Sequence, residues 1–257
     1  MAQAGALHNA AMTTFTGKVA VVTGAAGTVG LSVVRMLLEE GAQVALVDVD
    51  AMRLDGLVRF LRGATSAIPA DVRDPMAVRQ AAQSAEKALG PIDILVNAAT
   101  ASSADKLESL PDDAWREAMA VNAEGAFHWS RAVIPGMRKR HWGRIVNVSA
   151  LSAFAAGPAA SAAESAAKGA VESLTRALAR ETAAQGITVN AVAHAYLKTA
   201  QVEQMNEAQR RQLLAQVPVG RLCEPEEVAH AVRFLASPLA GFVTGHVLAL
   251  NGGVRTG

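Results

Sequence analysis

Short aliphatic runs alternate along this chain with longer segments of helical period, and no other feature constrains its fold as strongly. Runs at 18–23, 43–48, 65–70, 92–97, 143–149, 187–193 and 246–250 are rich in Val, Ile and Leu. Continuous apolar runs of this kind read as strands buried on both faces, as in a parallel sheet covered by crossover helices. Between them, 28–40, 51–62, 75–89, 111–139, 160–185 and 225–236 carry helical periodicity, with a weaker helix over 201–216. Local punctuation agrees. Asp74-Pro75 reads as an N-cap followed by Pro at the first helical position, and Gly41 and Gly90 sit where helices should stop. Pro225 with Glu226 and Glu227 marks another helix start, its acids placed where the dipole favours them.

The expected fold class is therefore α/β, a Rossmann-type doubly wound parallel sheet of seven strands with helices on both faces. At 257 residues, without an internal repeat or a linker, one domain over 17–257 is the simplest organisation. Residues 1–16 read as a flexible tail, since they lack the basic and apolar regions of a signal peptide. Composition excludes several function classes. A net charge of +1, with Arg138-Lys139-Arg140 as the longest basic cluster, gives no field for nucleic acid or an anionic membrane surface. No apolar run approaches the length of a membrane span. The single cysteine, Cys223, cannot close an internal disulfide, and the six histidines show no metal-ligand spacing. These features point to a cytoplasmic protein without a structural metal. The small-residue segment 150–170 reads in its second half as a closely packed helix, because Ala favours helix and allows near approach.

The first strand runs into Thr23-Gly24-Ala25-Ala26-Gly27-Thr28-Val29-Gly30 and then a helix. Glycines there permit a tight turn and close backbone approach, so amide N–H groups and the positive helix end can hold a pyrophosphate. A glycine-rich turn alone is weak evidence, but here the strand, the helix and a downstream acid are all in place. That acid is Asp48, at the end of the second strand, where a carboxylate can accept both ribose hydroxyl protons and repels a 2′-phosphate. With no basic residue in the loop or immediately after Asp48, NAD(H) is the expected cofactor rather than NADP.

With these motifs the sequence resembles the short-chain dehydrogenase/reductase family over about residues 16–253. The family pattern Thr-Gly-x-x-x-Gly-x-Gly maps to Thr23, Gly24 and Gly30, with Thr28 in place of the middle glycine. The adenine-contacting pair is Asp71-Val72, and the Asn-Asn-Ala-Gly motif survives as Asn97-Ala98-Ala99-Thr100. Trp115 with Val121-Asn122, then Thr244-Gly245 and Gly252-Gly253, complete the ordered matches. The resemblance implies a nucleotide held by Gly24, Thr28, Val29, Gly30, Asp48, Asp71, Val72, Asn97, Lys168 and Thr199. It also implies a small-molecule substrate and a homotetramer or homodimer built on the helices 111–139 and 160–185.

The active-site pattern departs from that family. Its chemistry rests on a Ser, a Tyr three residues before a Lys in the pattern Tyr-x-x-x-Lys, and a helix Asn. Here Asn122 and Lys168 remain, the tyrosine position is Glu164 and the serine position is Ala150. The chain's one tyrosine, Tyr196, lies far beyond the required place. A carboxylic acid ordinarily titrates near ~4.3 and a phenol near ~10, so Glu164 is expected as a carboxylate that cannot protonate a ketone. Losing a positioned acid forfeits ~10² to 10⁴ in rate. Ser149 or Ser152 could fill the serine place, while His194, with an ordinary pKa of ~6.5, and Tyr196 are candidate replacement acids. A Glu164–Lys168 pair could equally be structural, neutralising a buried charge. Three functions follow: an NAD(H) oxidoreductase with a rebuilt proton-transfer site, acting on a small carbonyl or alcohol compound; a lyase, isomerase or C–C hydrolase using Glu164 as base; or an inactive cofactor-binding or assembly subunit.

Overall fold

The structure is a computed structural model that describes residues 14–103, 105–153 and 161–256. Its aliphatic runs form β1 (Val19–Thr23), β2 (Gln43–Asp48), β3 (Thr65–Pro69), β4 (Ile94–Asn97), β5 (Gly143–Ala150), β6 (Ile187–His194) and β7 (Val247–Leu250). All pair in parallel in one sheet of order β3-β2-β1-β4-β5-β6-β7. Successive strand residues point to opposite faces, and two apolar layers result. On one face Val22, Val44, Leu46 and Val96 pack against Val33, Val34 and Leu37 of α1 (Thr28–Glu39) and Val228, Val232 and Leu235 of α9 (Pro225–Ala236). On the other, Val21, Ala45, Val47 and Ile145 meet Val78 of α3 (Pro75–Leu89) and Trp129, Val133 and Met137 of α5 (Gly125–Arg140). Helix α2 (Ala51–Phe60) adds the buried Leu54 to the first layer.

Helix boundaries follow local chemistry. The Asp74 carboxylate accepts from the Met76 amide at 2.7 Å ahead of Pro75, and Glu224 with Glu227 forms a capping box at the start of α9. Two long helical expectations break. The segment 111–139 divides into α4 (Asp112–Ala118), a π-helical turn over Met119–Glu124, and α5. Asn122 lies in that turn and donates from Nδ2 to the carbonyls of Ala118 and Ala101 at 2.8 and 2.7 Å. A side chain that intrudes on the main-chain ladder in this way is a usual cause of such a bulge. The segment 201–216 divides into α7 (Ala200–Glu203) and α8 (Glu207–Leu214), because Asn206 caps a fresh start with Gln209. The expected helix 160–185 is α6 (Ala162–Thr182), continued by a 3₁₀ turn.

The tail assignment requires correction at its inner end. Phe15 is fully buried in the first apolar layer, and the Thr14 amide donates to the Glu40 carboxylate at 2.9 Å. Burial of a large aromatic holds this stretch to the fold, so the described packing begins at Thr14 rather than Gly17. The rest of the expected tail, 1–13, lies outside the described residues, as does the 154–160 part of the small-residue segment.

Because every strand is parallel, the ends Thr23, Asp48, Asn97, Ala150 and His194 collect at one edge of the sheet. The chain runs from β1 through β2 to β3 on one side and then crosses back to β4 on the other side of β1, which makes the β1/β4 boundary a topological switch point, where ligands of such sheets bind. The Thr23 hydroxyl ties this boundary together, accepting from the Ala98 and Ala99 amides at 3.1 and 3.2 Å.

Candidate active site

The glycine loop is shaped by contacts that a side chain would destroy. Gly24 has φ +62, and a Cβ there would lie 2.7 Å from the Ala99 backbone. A Cβ on Gly30 would lie 2.1 Å from the Gly24 carbonyl oxygen. Helix α1 opens at Thr28 behind Gly27, which offers no side-chain cap, so the first-turn amides are left for an outside acceptor. Thr28 is exposed, and Val29 turns its side chain to the core, so each faces the cleft at most through its amide or, for Thr28, its hydroxyl. Asp48 leans back on the loop, its Oδ2 accepting from the Ala26 amide at 3.0 Å and its Oδ1 from the Asp50 amide at 3.2 Å.

Asn97 lies at the switch point and belongs to a buried chain of hydrogen bonds. Its Nδ2 donates to Asn147 Oδ1 at 2.8 Å, and Asn147 Nδ2 donates to Thr175 Oγ1 at 2.8 Å, which links β4, β5 and α6. Asn97 Oδ1 is buried and has no donor among the described residues. An unpaired buried acceptor calls for an explanation, and a ligand hydroxyl or amide in the cleft supplies one. With the glycine cradle, this makes the residues present fit a dinucleotide. Asp71 is less available than its sequence position suggests. The Arg73 guanidinium grips its carboxylate at 2.7–3.0 Å and holds its pKa below the usual range, and Arg73 also reaches Glu117 at 2.6 Å. Val72 is buried, and its carbonyl accepts from His128 Nδ1 at 3.1 Å.

At the β5/β6 end, Lys168 is 3% exposed and donates from Nζ to the Val148 carbonyl at 3.0 Å. Burial pushes its pKa down to about 8, opposed by the field of Glu164. Glu164 is half-buried in the first turn of α6, its amide capped by Ser161 at 3.2 Å and its carboxylate accepting from Ser152 Oγ at 3.4 Å. The two residues feel each other's charge but form no ion pair; the Lys168 ammonium goes to the main chain instead. His194 pairs in register with Ala150, so the imidazole stands beside a methyl group. Its Nδ1–H donates to the Ala195 carbonyl at 2.9 Å, and burial, with Lys168 nearby, pushes its pKa down to about 4. The imidazole is therefore neutral near pH 7 and has no extra proton to give.

Three sequence candidates are held elsewhere. Ser149 is fully buried and donates to Glu172 Oε1 at 2.9 Å, a carboxyl whose pKa burial raises. The Tyr196 hydroxyl donates to Gln216 Oε1 at 2.9 Å, and its ring lines a cavity of about 220 Å³ with Val217, Val219, Cys223 and Leu250, which neither Glu164 nor Lys168 borders. Thr199 caps α7, its Oγ1 accepting from the Val202 amide at 3.4 Å. Asn122 is 3% exposed, and its Oδ1 accepts from Thr100 Oγ1 at 2.9 Å. The sequence reading passed over Asn147, Thr175 and Glu172. Asn147 was detectable as a polar residue in the middle of an aliphatic strand, whereas the partners on α6 depend on how that helix docks.

Comparison with known proteins agrees with this geometry. A family profile described as enoyl-(acyl carrier protein) reductase matches residues 24–255. The 3-oxoacyl-[acyl-carrier-protein] reductase FabG of Vibrio cholerae is 37% identical over 238 residues, 93% of this chain and 97% of that protein. The chain belongs to the short-chain dehydrogenase/reductase family. Another member, galactitol 2-dehydrogenase (L-tagatose-forming) of Cereibacter sphaeroides, is 44% identical over 245 residues, 92% of this chain and 94% of that protein. The crystal structure of 3-oxoacyl-[acyl-carrier protein] reductase from Brucella melitensis superposes with TM-score 0.89 at 28% identity, covering 95% and 93% of the two chains. The seven-stranded parallel sheet is thus the family's, and the relatives of this short-chain dehydrogenase/reductase are oxidoreductases by name. Among the described residues no helix is long and apolar enough to cross a membrane.

Proposed function

We propose that this chain is an NAD(H)-dependent oxidoreductase acting on a small carbonyl or alcohol compound, with proton transfer rebuilt around Lys168. The observation that carries this reading is the buried Lys168 amine, pushed down to about 8 at the same sheet edge as the glycine cradle. With His194 neutral, the Lys168 ammonium is the group able to release a proton near neutrality. Ser152, whose hydroxyl can turn from Glu164, would donate to a substrate carbonyl oxygen, and Asn122 holds the adjoining turn to Ala101. The residues that would hold the nucleotide are the Gly24 and Thr28–Gly30 amides for the phosphates, Asp48 for the ribose diol, Asp71 and Val72 for the adenine, and Asn97, Lys168 and Thr199 for the nicotinamide side. What the cofactor would supply there is a hydride donor or acceptor. Asp48 favours a free 2′-hydroxyl and thus NAD over NADP. Titration calorimetry is expected to show heat with NADH and weaker binding of NADPH; no heat with either nucleotide overturns the reading. Ketone reduction should fall as pH rises through about 8, because the protonated amine is required. The paired changes Ala150→Ser and Glu164→Tyr should raise ketone reduction.

A second reading has Glu164 as base in a non-redox reaction, favoured by its half-buried carboxylate having, among the described residues, the Ser152 hydroxyl as its side-chain hydrogen-bond partner. Turnover without nucleotide that collapses in Glu164→Gln would decide for it. A homotetramer or homodimer using α4, α5 and α6, where Trp115 and Phe127 are exposed, and a cytoplasmic location belong to the same proposal.

A further inference from the structure

Strands β2 and β3 run side by side to the same sheet edge, where the Ala70 amide donates to the Asp48 carbonyl at 3.0 Å. Asp71 follows directly, next to the carboxylate that would hold the ribose. It does not stand alone there. Its Oδ1 accepts from the Arg73 amide at 2.9 Å and from Arg73 Nε at 3.0 Å, and its Oδ2 accepts from Nε at 2.9 Å and from Nη2 at 2.7 Å. The guanidinium is anchored at its other end too, Nη1 donating to Glu117 Oε2 on α4 at 2.6 Å. Two acids thus fix the planar fork in place. Each Nη nitrogen carries a second N–H, and among the described residues no acceptor takes either one. Side chains of Arg73 and Asp71 are 45% and 33% exposed, so the pair presents a carboxylate and spare N–H donors side by side to whatever lies against them.

We propose that Arg73 sets the base specificity of the nucleotide site, making it hold a 6-oxopurine dinucleotide as well as an adenine dinucleotide. The inference rests on the nucleotide reading above and deepens it from a cofactor class to the residue that reads the base. Adenine offers its 6-amino group as a donor, which Asp71 accepts. Hypoxanthine offers N1–H as a donor and O6 as an acceptor beside it. Asp71 takes the first, and a spare Arg73 N–H gives to the second. Without Arg73, O6 would face the lone pairs of a bare carboxylate and lose its donor, which is how a polar site ordinarily rejects an analogue. The guanidinium also offsets the charge of Asp71, whose field would otherwise favour the amino group. Glu117 contributes by holding the fork where it can serve both bases.

Titration calorimetry tests this by comparing NADH with reduced nicotinamide hypoxanthine dinucleotide, on the parent protein and on Arg73→Ala. That variant keeps the main-chain N–H on Asp71 and removes the fork. The parent is expected to bind the two dinucleotides within about threefold of each other, and Arg73→Ala to prefer NADH by about tenfold or more. A parent that prefers NADH by about tenfold or more, or a ratio that Arg73→Ala leaves unchanged, overturns the proposal. Thermal melting checks that the variant folds. Should it not, the parent comparison decides by itself. Failure of the underlying reading has a different signature: no heat with NADH removes the nucleotide site altogether, whereas heat with NADH and none with the hypoxanthine dinucleotide keeps that site and overturns the role of Arg73.

Discussion

Replacing Lys168 by Met should make the protein more stable at pH 7, and the gain should vanish as pH rises. Lys168 is 3% exposed, and its pKa falls from 10.5 to about 8 on folding. Between those values the unfolded chain binds the proton and the folded one releases it, so stability climbs with pH across that window. Below about 8 both states hold the proton, and the full penalty of keeping an ammonium in the interior applies, about 3 kcal/mol at pH 7. Methionine fills a similar volume without charge but leaves the Val148 carbonyl without its donor, which costs about 1 kcal/mol at any pH. The net expectation is a gain of about 2 kcal/mol at pH 7, falling to nothing near about pH 10. Urea unfolding at matched protein concentration, repeated across this range, gives the difference directly. A variant less stable than the parent at pH 7, or a difference that does not change with pH, would refute the assignment of Lys168 as an amine whose pKa is lowered by burial.

Other expectations concern the cradle and the histidine. Gly24→Ala meets both a positive φ and the Ala99 backbone at 2.7 Å, and should cost about 1–3 kcal/mol in stability while weakening NADH binding, measured by melting and calorimetry; an unchanged NADH affinity would show that the loop geometry is not what holds the nucleotide. His194, with its pKa lowered from 6.5 to about 4, contributes stability that is complete above about 6.5 and lost as pH falls toward 4. His194→Gln should therefore flatten the acid limb of stability, and in the parent protein the imidazole should stay neutral at pH 5 by NMR; an imidazolium signal there contradicts the burial argument.

Much of the fold was legible because its physics is local. Aliphatic runs bounded by Gly41, Gly90 and Asp74-Pro75 mark strands and helix limits by burial, backbone freedom and capping, all of which act within a few residues. The split of 111–139 was not legible, because it depends on Asn122 reaching Ala101, which lies on a different segment. Phe15 was read as tail for the same reason, since its burial comes from packing against residues distant in sequence.

In the site, the sequence by itself determined which groups are present: a glycine loop before a helix, Asp48 after the second strand, Lys168 retained, and Glu164 and Ala150 where a tyrosine and a serine are expected. Those facts settle the available chemistry, because side-chain type sets which protons can be given or taken. Only the tertiary structure decided which groups meet. Ser152 rather than Ser149 reaches Glu164, Tyr196 is drawn off to Gln216, and the Lys168 ammonium bonds the main chain instead of the Glu164 carboxylate. Partner choice, burial and hence pKa depend on how β5, β6 and α6 dock, and that is a property of long-range packing that no local pattern encodes.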